Sequence, residues 1–425
     1  MKTLAYNRHG CGCMIKLYIK QFSFLFTSIL SFIVGFYIIY KNTDLYQVVL
    51  ILLNILIFIR GITFLFHRKT FWKGIFNVCI AFFFNFFPNI PLSFLPIFTS
   101  LYLLLLSLTQ MMTYVFYVKN DEKPRLYVFM NALFLMFLSW PLLLTPLISL
   151  KHMLIIIGMY VFIFGIFNFI DFLEETLPKT AKNKIKRKMR VSLPVFVTTF
   201  VPYTIYRNIN HYLDEENNIK KQNQDFDMEV LIHVSSNGSG TVGHIDLYYK
   251  DQIWSFGNYD MKSRHLKEAL GDGVLFIAPN KEDYIKFCEE HGKKILFGFG
   301  LKLNDAQKKE VDKELEYIMR NTEEWIPYYK RALLNHEDIK DYKDYVSSLY
   351  KATPAKFYKF TKGKFKTFFI FSTNCVRFVD TVLGKTGLDN INISGFISPG
   401  SYYDYLLREY YKKNSMVVSY HIYKK

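Results

Sequence analysis

Six long apolar stretches fill the first 173 residues of this 425-residue chain, at about 21–40, 44–66, 70–88, 94–117, 126–149 and 152–173. Each approaches the ~20 residues with which an α-helix crosses a hydrocarbon layer ~30 Å thick. No water inside such a layer satisfies backbone amides and carbonyls, so stretches of this kind fold as helices. The first half of the chain is therefore expected to be a polytopic membrane domain. Its first stretch has full spanning length and is followed by no small-residue cleavage site, so it reads as a retained span rather than a cleaved signal.

The formal net charge of +17 raises the question of nucleic-acid binding, and its distribution answers it. Residues 1–206 carry 20 Lys/Arg against 6 Asp/Glu, whereas residues 207–425 carry 33 against 30. Within the membrane half the basic residues cluster at the N-terminus (Lys2, Arg8, Lys16, Lys20), after the second stretch (Arg68, Lys69, Lys73), after the fourth (Lys119, Lys123, Arg125) and after the sixth (Lys182 to Arg190). The intervening loops hold only Lys41, then none, then Lys151. By the positive-inside rule this places the N-terminus and the KNKIKRKMR run in the cytoplasm. The charge is topological and argues against a nucleic-acid partner.

FIRGITFLFHRKT, LTQMMTYVFYVKN and FGIFNFIDFLEET end the second, fourth and sixth stretches at comparable places, which suggests three helical hairpins from one repeated unit. Gly61, Gln110 and Gly165 recur there as small or polar positions suited to close helix approach. In topology and in its aromatic-rich hairpins this half resembles the HdeD-like six-span bacterial membrane proteins. The five cysteines, Cys11, Cys13, Cys79, Cys288 and Cys375, have no metal-ligand spacing and no disulfide pattern, and no metal or cofactor is expected. Cys11 and Cys13 read as tail thiols, with acylation as the alternative.

The domain organisation read from the sequence is a membrane bundle at 1–190, a connector at 191–224 and a soluble α+β domain at 225–425. The connector contains VSLPVFVTTFVPYTIY, short for a span and apolar for a linker, so it reads as amphipathic, re-entrant or a seventh crossing. Beyond it EVLIHVSS, GHIDLYYK, QIWSFGNY, GVLFIAP, KILFGFGLK, AKFYKFTKG and KTFFIFST carry β patterns. Helices are expected at 281–291, 304–320 and 337–351 and after Cys375. Turns at Lys250-Asp251-Gln252 and Lys362-Gly363 suggest two hairpins, the second being AKFYKFTKGKFKTFF.

The stretch NGSGTVGHIDLYY holds a G-x-G-x-x-G at Gly238, Gly240 and Gly243. A dinucleotide loop needs a helix after its last glycine, because the helix amides hold the phosphate, whereas here a strand follows. A kinase loop would need a later H-R-D and D-F-G, and neither occurs. The glycines instead deliver His244 to the start of a strand. Far downstream, in STNCVRFVDTVLGKTG, Cys375 follows a β-run and opens an amphipathic helix. Helix N-terminal amides acidify a thiol, and a nearby imidazole then serves as its base.

The G-H-I-D-L-Y-Y strand followed much later by N-C-V-R-F-V resembles the circularly permuted papain-like fold of the lecithin:retinol acyltransferase (LRAT) group and the NlpC-like hydrolases. Asn374, Cys375, Phe378 and Val379 match the N-C-x-x-F-V segment of the acyltransferase branch, whereas Val376 and Arg377 depart from the charged and histidine positions usual there, which leaves the finer substrate class open. The resemblance implies His244 and Cys375 as catalytic pair. For the residue that orients the histidine, Asn258 and Asp260 on the returning strand are the candidates, with Ser255 and Asp246 behind them. Gly240, Gly243 and Asn374 are candidates for the oxyanion loop.

An HdeD-like bundle fused to such a domain, with R-V-S-L-P between them and the late I-S-P-G-S-Y-Y-D-Y-L segment (Ile397 to Leu406), is similar to the Lnb-type lipoprotein N-acyltransferases of low-GC Gram-positive bacteria. That resemblance implies transfer of a fatty acyl chain, through a cysteine thioester, onto the N-terminal cysteine of diacylglyceryl lipoproteins to give the lyso form. The implied partners are diacylglyceryl lipoproteins and membrane glycerolipids, at the cell membrane, with the catalytic domain facing outward. Two rival readings are a membrane-bound thiol amidase or peptidase acting on cell-wall or lipid substrates, and a membrane scaffold with a decayed domain.

Overall fold

The structure is a computed structural model that describes residues 6–66, 70–123, 125–176, 224–234, 243–292, 294–337, 342, 344–388, 398–412 and 415–424. The connector segment VSLPVFVTTFVPYTIY, together with Gly238 and Gly240, lies outside the described residues. Two compact units emerge. One comprises Phe24–Met112 and Leu126–Ile170; the other gathers Met1–Ser23, Thr113–Arg125 and Asp171–Lys425.

The first unit is helical. α1 (Tyr6–Leu65) is two helices joined at Asn42, whose φ of 19° and ψ of −98° break the helical path. Then follow α2 (Phe71–Phe86), α3 (Asn89–Lys119), α4 (Arg125–Leu144) and α5 (Pro146–Thr176). Among the described residues five segments are long and apolar enough to cross a membrane: Phe22–Asp44, Tyr46–Leu65, Asn89–Lys119, Arg125–Leu144 and Pro146–Leu173. The third of the six stretches behaves differently. α2 has 16 residues, about 24 Å at 1.5 Å per residue, because Pro88 disfavours helix in the residue before it.

Small residues bring these helices together. A Cβ on Gly35 would lie 2.8 Å from the Gly158 carbonyl, and one on Gly158 would lie 2.9 Å from that of Gly35, so α1 and α5 touch backbone to backbone. Gly61 sits against Val78 in the same way, and Ser28 Oγ donates to the Gly165 carbonyl at 2.9 Å. Lipid tails give apolar side chains no reason to prefer one another, so close backbone packing and such hydrogen bonds supply the association.

The soluble domain is built on an eight-stranded antiparallel sheet in the order β10-β6-β1-β2-β3-β5-β8-β7. Its strands are β1 (Met228–Val234), β2 (His244–Tyr249), β3 (Gln252–Gly257), β5 (Val274–Pro279), β6 (Ile295–Leu301), β7 (Thr322–Glu324), β8 (Lys356–Phe360) and β10 (Val417–Tyr423). β4 (Leu270–Asp272) and β9 (Thr367–Phe369) form a separate pair. Lys250 and Asp251 take φ of 49° and 58°, the two positive values of the tight turn that joins β2 to β3 as expected. The second expected hairpin does not form. Lys366 N does bond the Gly363 carbonyl, but β8 has β5 on one side and β7 on the other, so no free edge remains for β9.

Helices cover both faces of the sheet. Val230, Ile232, Ile245, Leu247, Trp254 and Phe256 pack against α7 (Asp305–Met319), α10 (Cys375–Leu383) and α11 (Pro399–Tyr410). The opposite parity, Leu231, Ile253 and Phe276, packs against α6 (Lys281–Gly292) and α9 (Tyr345–Ala352). Of the expected 337–351 helix the described residues form only α9, whose start the Asp344 side chain caps by accepting from Ser347 N, and a separate α8 (Tyr328–Leu334) precedes the expected range. Lys412, just beyond α11, is buried between Asp171 at 2.9 Å and Glu409 at 2.6 Å, which fixes residues 171–176 onto the soluble domain.

Phe256 ties the sheet to the helix that begins at Cys375. It is fully buried, stacked on Phe378 with ring centroids 5.7 Å apart, and edge-on to Phe360 and Phe365. Phe256→Ala is expected to cost about 3–5 kcal/mol through lost contacts and the cavity left behind, read as a lower thermal midpoint of the full chain in lipid nanodiscs by near-ultraviolet circular dichroism.

Candidate active site

His244 is the first residue of β2, and the residue before it decides how it is presented. Gly243 has φ of +93°, and a Cβ there would lie 3.0 Å from the His233 carbonyl and 3.1 Å from Pro399 Cβ. Neither the dihedral nor the space admits a larger residue. The chain thus turns sharply into the strand with His244, half-buried, at its end.

A buried carboxylate organises the histidine. Side chains two apart on a strand share a face, so Asp246 lies beside His244, and its Oδ1 is 2.9 Å from His244 Nε2, an ionic contact without hydrogen-bond alignment. Asp246 is completely buried. Its other oxygen receives the Tyr284 hydroxyl at 2.6 Å and lies 2.7 Å from His233 Nε2, in an electrostatic contact that is not an aligned hydrogen bond. β1 pairs with β2 so that His233 stands opposite His244 and Leu231 opposite Asp246. From the returning strand Ser255 Oγ reaches His244 Nε2 at 3.0 Å, and Tyr259 hydroxyl reaches the same nitrogen at 3.1 Å and Ser255 Oγ at 2.7 Å. Three oxygens therefore converge on Nε2, which leaves Nδ1 for another partner.

The Cys375 sulfur is close enough to His244 to be among the groups that raise its imidazole. Cys375 is the first residue of α10, with Asn374 as its cap: Asn374 Oδ1 accepts from Arg377 N at 3.0 Å, and its Nδ2 donates to the Ile370 carbonyl at 2.7 Å. The amides of Cys375 and Val376, in the first turn, have no acceptor within the helix. They form a pair of donors next to the sulfur, whereas the Asn374 amide is committed to its cap.

The two imidazoles carry opposite charge states. Burial pushes His233 down to about 4, outweighing Asp246, so it stays neutral. Burial also works against charge on His244, but the Asp246 carboxylate and then the Cys375 sulfur overcome it and raise the imidazole to about 10. Asp246 is held well below the usual carboxylate range: burial opposes ionisation, and the two imidazoles outweigh it. Burial followed by Asp246 lifts Tyr259 and Tyr284 well above 10, so both stay neutral hydroxyls. The site thus holds a positive imidazole beside Cys375. His244 keeps a quarter of its side chain exposed, which leaves it within reach of a substrate.

The structure brings His244, Cys375, Asp246 and Ser255 together, and it uses Asn258 and Asp260 elsewhere. Asn258 Nδ2 donates to the carbonyls of Glu268 and Leu270, which shapes the loop after β3. Asp260 caps a short turn through Lys262 N and pairs with Lys359 at 2.6 Å and the Tyr328 hydroxyl at 2.8 Å. Among the oxyanion candidates Gly243 shapes the approach to His244, Asn374 caps the helix, and Gly240 lies outside the described residues. His233, Tyr259 and Tyr284 had no motif to announce them. Asp246 did have a signal, because it sits two residues from His244 on one strand.

Removing the carboxylate is expected to disarm the thiol. In Asp246→Asn the imidazole falls toward or below its ordinary 6.5, and alkylation of Cys375 at pH 7 slows by about tenfold or more, one pKa unit being a factor of ten. Asp260→Asn is expected to leave the rate near that of the wild-type chain, which a time course of iodoacetamide labelling read by peptide mass spectrometry distinguishes.

Comparison with known proteins bears on the membrane half. Residues 72–140 match the model of a family described as a short repeat of unknown function (DUF308). The match spans the third to fifth apolar stretches and fits the HdeD-like reading of the helical unit. No curated protein and no solved structure compared with the chain matches it.

Proposed function

We propose that this protein is a membrane transacylase of the Lnb type, with a permuted papain-like domain, that moves a fatty acyl chain onto the N-terminal cysteine amine of diacylglyceryl lipoproteins. The observation that carries the reading is the Cys375–His244–Asp246 arrangement at a helix N-terminus, in a chain whose described residues include five helices fit to cross a bilayer. Such a thiolate attacks carbonyl carbon, and the helices keep it where acyl esters are concentrated.

The chemistry runs in two halves. The Cys375 thiolate attacks the ester carbonyl of a membrane glycerolipid or of the lipoprotein's own diacylglyceryl group. The amides of Cys375 and Val376 face the oxygen that becomes negative. When the tetrahedral centre collapses, the carbon–oxygen ester bond breaks, the His244 imidazolium gives its proton to the departing alkoxide, and a lyso product leaves behind an acyl-thioester. The lipoprotein's α-amine then attacks the thioester, its proton passes to the neutral His244, and the carbon–sulfur bond breaks to restore the thiolate. Asp246, Ser255 and Tyr259 hold the imidazole in one orientation throughout.

The reading fixes a topology. Asn120 Nδ2 donates to Thr367 Oγ1 at 3.0 Å and the Asn120 carbonyl accepts from Gly363 N at 3.2 Å, so residues 113–125 and the soluble domain share one face of the membrane. Lipoproteins are processed on the outer face, so Lys119, Lys123 and Arg125 face outward with the domain, against the charge rule applied above. Outward placement then rests on the orientation of the bundle rather than on a seventh crossing.

In lipid nanodiscs with a diacylglyceryl lipopeptide, the wild-type chain is expected to yield an N-acylated peptide and a matching lyso product by intact-mass spectrometry, both abolished in Cys375→Ala. Free fatty acid or a cleaved peptide instead would move the assignment to a thiol hydrolase. In intact cells a membrane-impermeant thiol reagent is expected to label Lys123→Cys; protection of that residue until the cells are opened would overturn the outward reading.

A further inference from the structure

The loop that runs into Cys375 exposes two large apolar side chains in sequence, Ile370 at 39% and Phe371 at 45%. Beside them Leu266 is 64% exposed, on the loop held by Ile370 N bonding the Ala269 carbonyl at 3.0 Å and by the β4–β9 pair. Leu266, Lys267 and Glu268 take φ of 49°, 53° and 71°, three successive left-handed residues without a glycine. A chain adopts that costly path only where the surroundings enforce it. Here Asn258 enforces it, through the Glu268 and Leu270 carbonyls, and Arg264 pairs with Glu268 at 2.7 Å. The result is a rigid tip that holds Leu266 out beside Ile370 and Phe371.

What covers these side chains follows from what they adjoin. Residues 113–119, the end of the apolar span Asn89–Lys119, belong to the same compact unit. The ring of Phe116 meets that of Phe369, with centroids 5.7 Å apart, and Asn120 bonds Thr367 and Gly363. Phe369 directly precedes Ile370, and consecutive Cα atoms are about 3.8 Å apart. Ile370 and Phe371 thus follow directly on a residue that packs against the last turns of the apolar helix α3. Lys119, Lys123, Lys267 and Lys362 are exposed around them, which suits an anionic headgroup layer.

We propose that Leu266, Ile370 and Phe371 form a lip that inserts into the bilayer surface, so that the mouth of the Cys375 site opens onto the headgroup–acyl boundary and takes its ester donor directly from the membrane. The lip rests on the acyl-transfer reading for its purpose, though not for its existence. It makes the bilayer, rather than another protein, the occupant of this apolar patch. Only Ser372, Thr373 and Asn374 lie between Phe371 and the nucleophile, so a glycerolipid whose chains remain in the membrane can present its ester to the sulfur.

The test uses the full chain in nanodiscs containing lipids brominated along the acyl chain. Phe371→Trp is expected to add tryptophan emission that the brominated lipids quench, whereas Tyr317→Trp, exposed on α7, adds emission that they do not. An unquenched Phe371→Trp signal overturns the lip, whatever the enzyme's activity. In a second arm, Ile370→Ser with Phe371→Ser is expected to lower acyl transfer from bilayer lipid by about tenfold while leaving iodoacetamide labelling of Cys375 unchanged. Unchanged transfer overturns the lip's role in donor access, and a matching loss of labelling shows a damaged site instead. If the wild-type chain transfers no acyl group, the quenching arm still decides the lip, and the transfer reading alone falls.

Discussion

A fully buried carboxylate must find partners for both its oxygens or remain protonated, and much of the soluble domain follows from how Asp246 finds them. Its partners come from three elements: His244 on its own strand, His233 on β1 and Tyr284 on α6. A slip of one residue between β1 and β2 would send each strand's side chains to the other face. The His233–His244 pairing would be lost along with the apolar faces, so the sheet register and the polar network specify one another. Tyr284 adds the third dimension by fixing α6 over the face that carries the network.

The same logic separates two buried thiols. Cys288 lies on α6 among apolar side chains, and burial, reinforced by the Asp246 charge though eased by Lys294, pushes it up to about 12. It is a core residue with no means of ionising near neutrality. Cys375 is buried to a similar degree but opens its helix, beside an imidazole that Asp246 keeps positive. Position on the helix and one neighbouring charge, rather than burial, distinguish a packing thiol from a nucleophile.

The sequence carried local information well. The apolar stretches, most of the sheet, the β2–β3 turn and the helix that Cys375 opens were legible because each depends on a few adjacent residues. The failures were, with one local exception, matters of distance along the chain. α2 fell short of a span because of one proline beyond its last turn. The Lys362-Gly363 turn looked like a hairpin because pairing with β5 and β7, more than thirty residues away in each case, cannot be read from the turn. β10 escaped notice although VVSYHIY alternates weakly, since its burial comes from β6 and not from its own pattern. At the site, counting along the returning strand favoured Asn258 and Asp260, whereas the register sets Trp254 opposite Leu247 and so brings Ser255 toward Asp246. His233 and Tyr284 were invisible because only the fold makes them neighbours of a carboxylate.

One histidine must act as an acid in the first half of the proposed transfer and as a base in the second, and the charge coupling at the site provides for both. The thiolate is among the causes that raise His244, second to Asp246 among those favouring its proton. When the sulfur attacks and its negative charge is consumed, that contribution disappears. The imidazolium then becomes more acidic at the step where the departing alkoxide needs its proton. It is left neutral beside Asp246, ready to accept a proton from the incoming amine. As the thioester breaks and the thiolate returns, the contribution returns as well and the proton is held. Asp246 keeps the hydrogen bond donated by the Tyr284 hydroxyl throughout. The alternation belongs to the sulfur's own charge, and the buried carboxylate sets the level around which it swings.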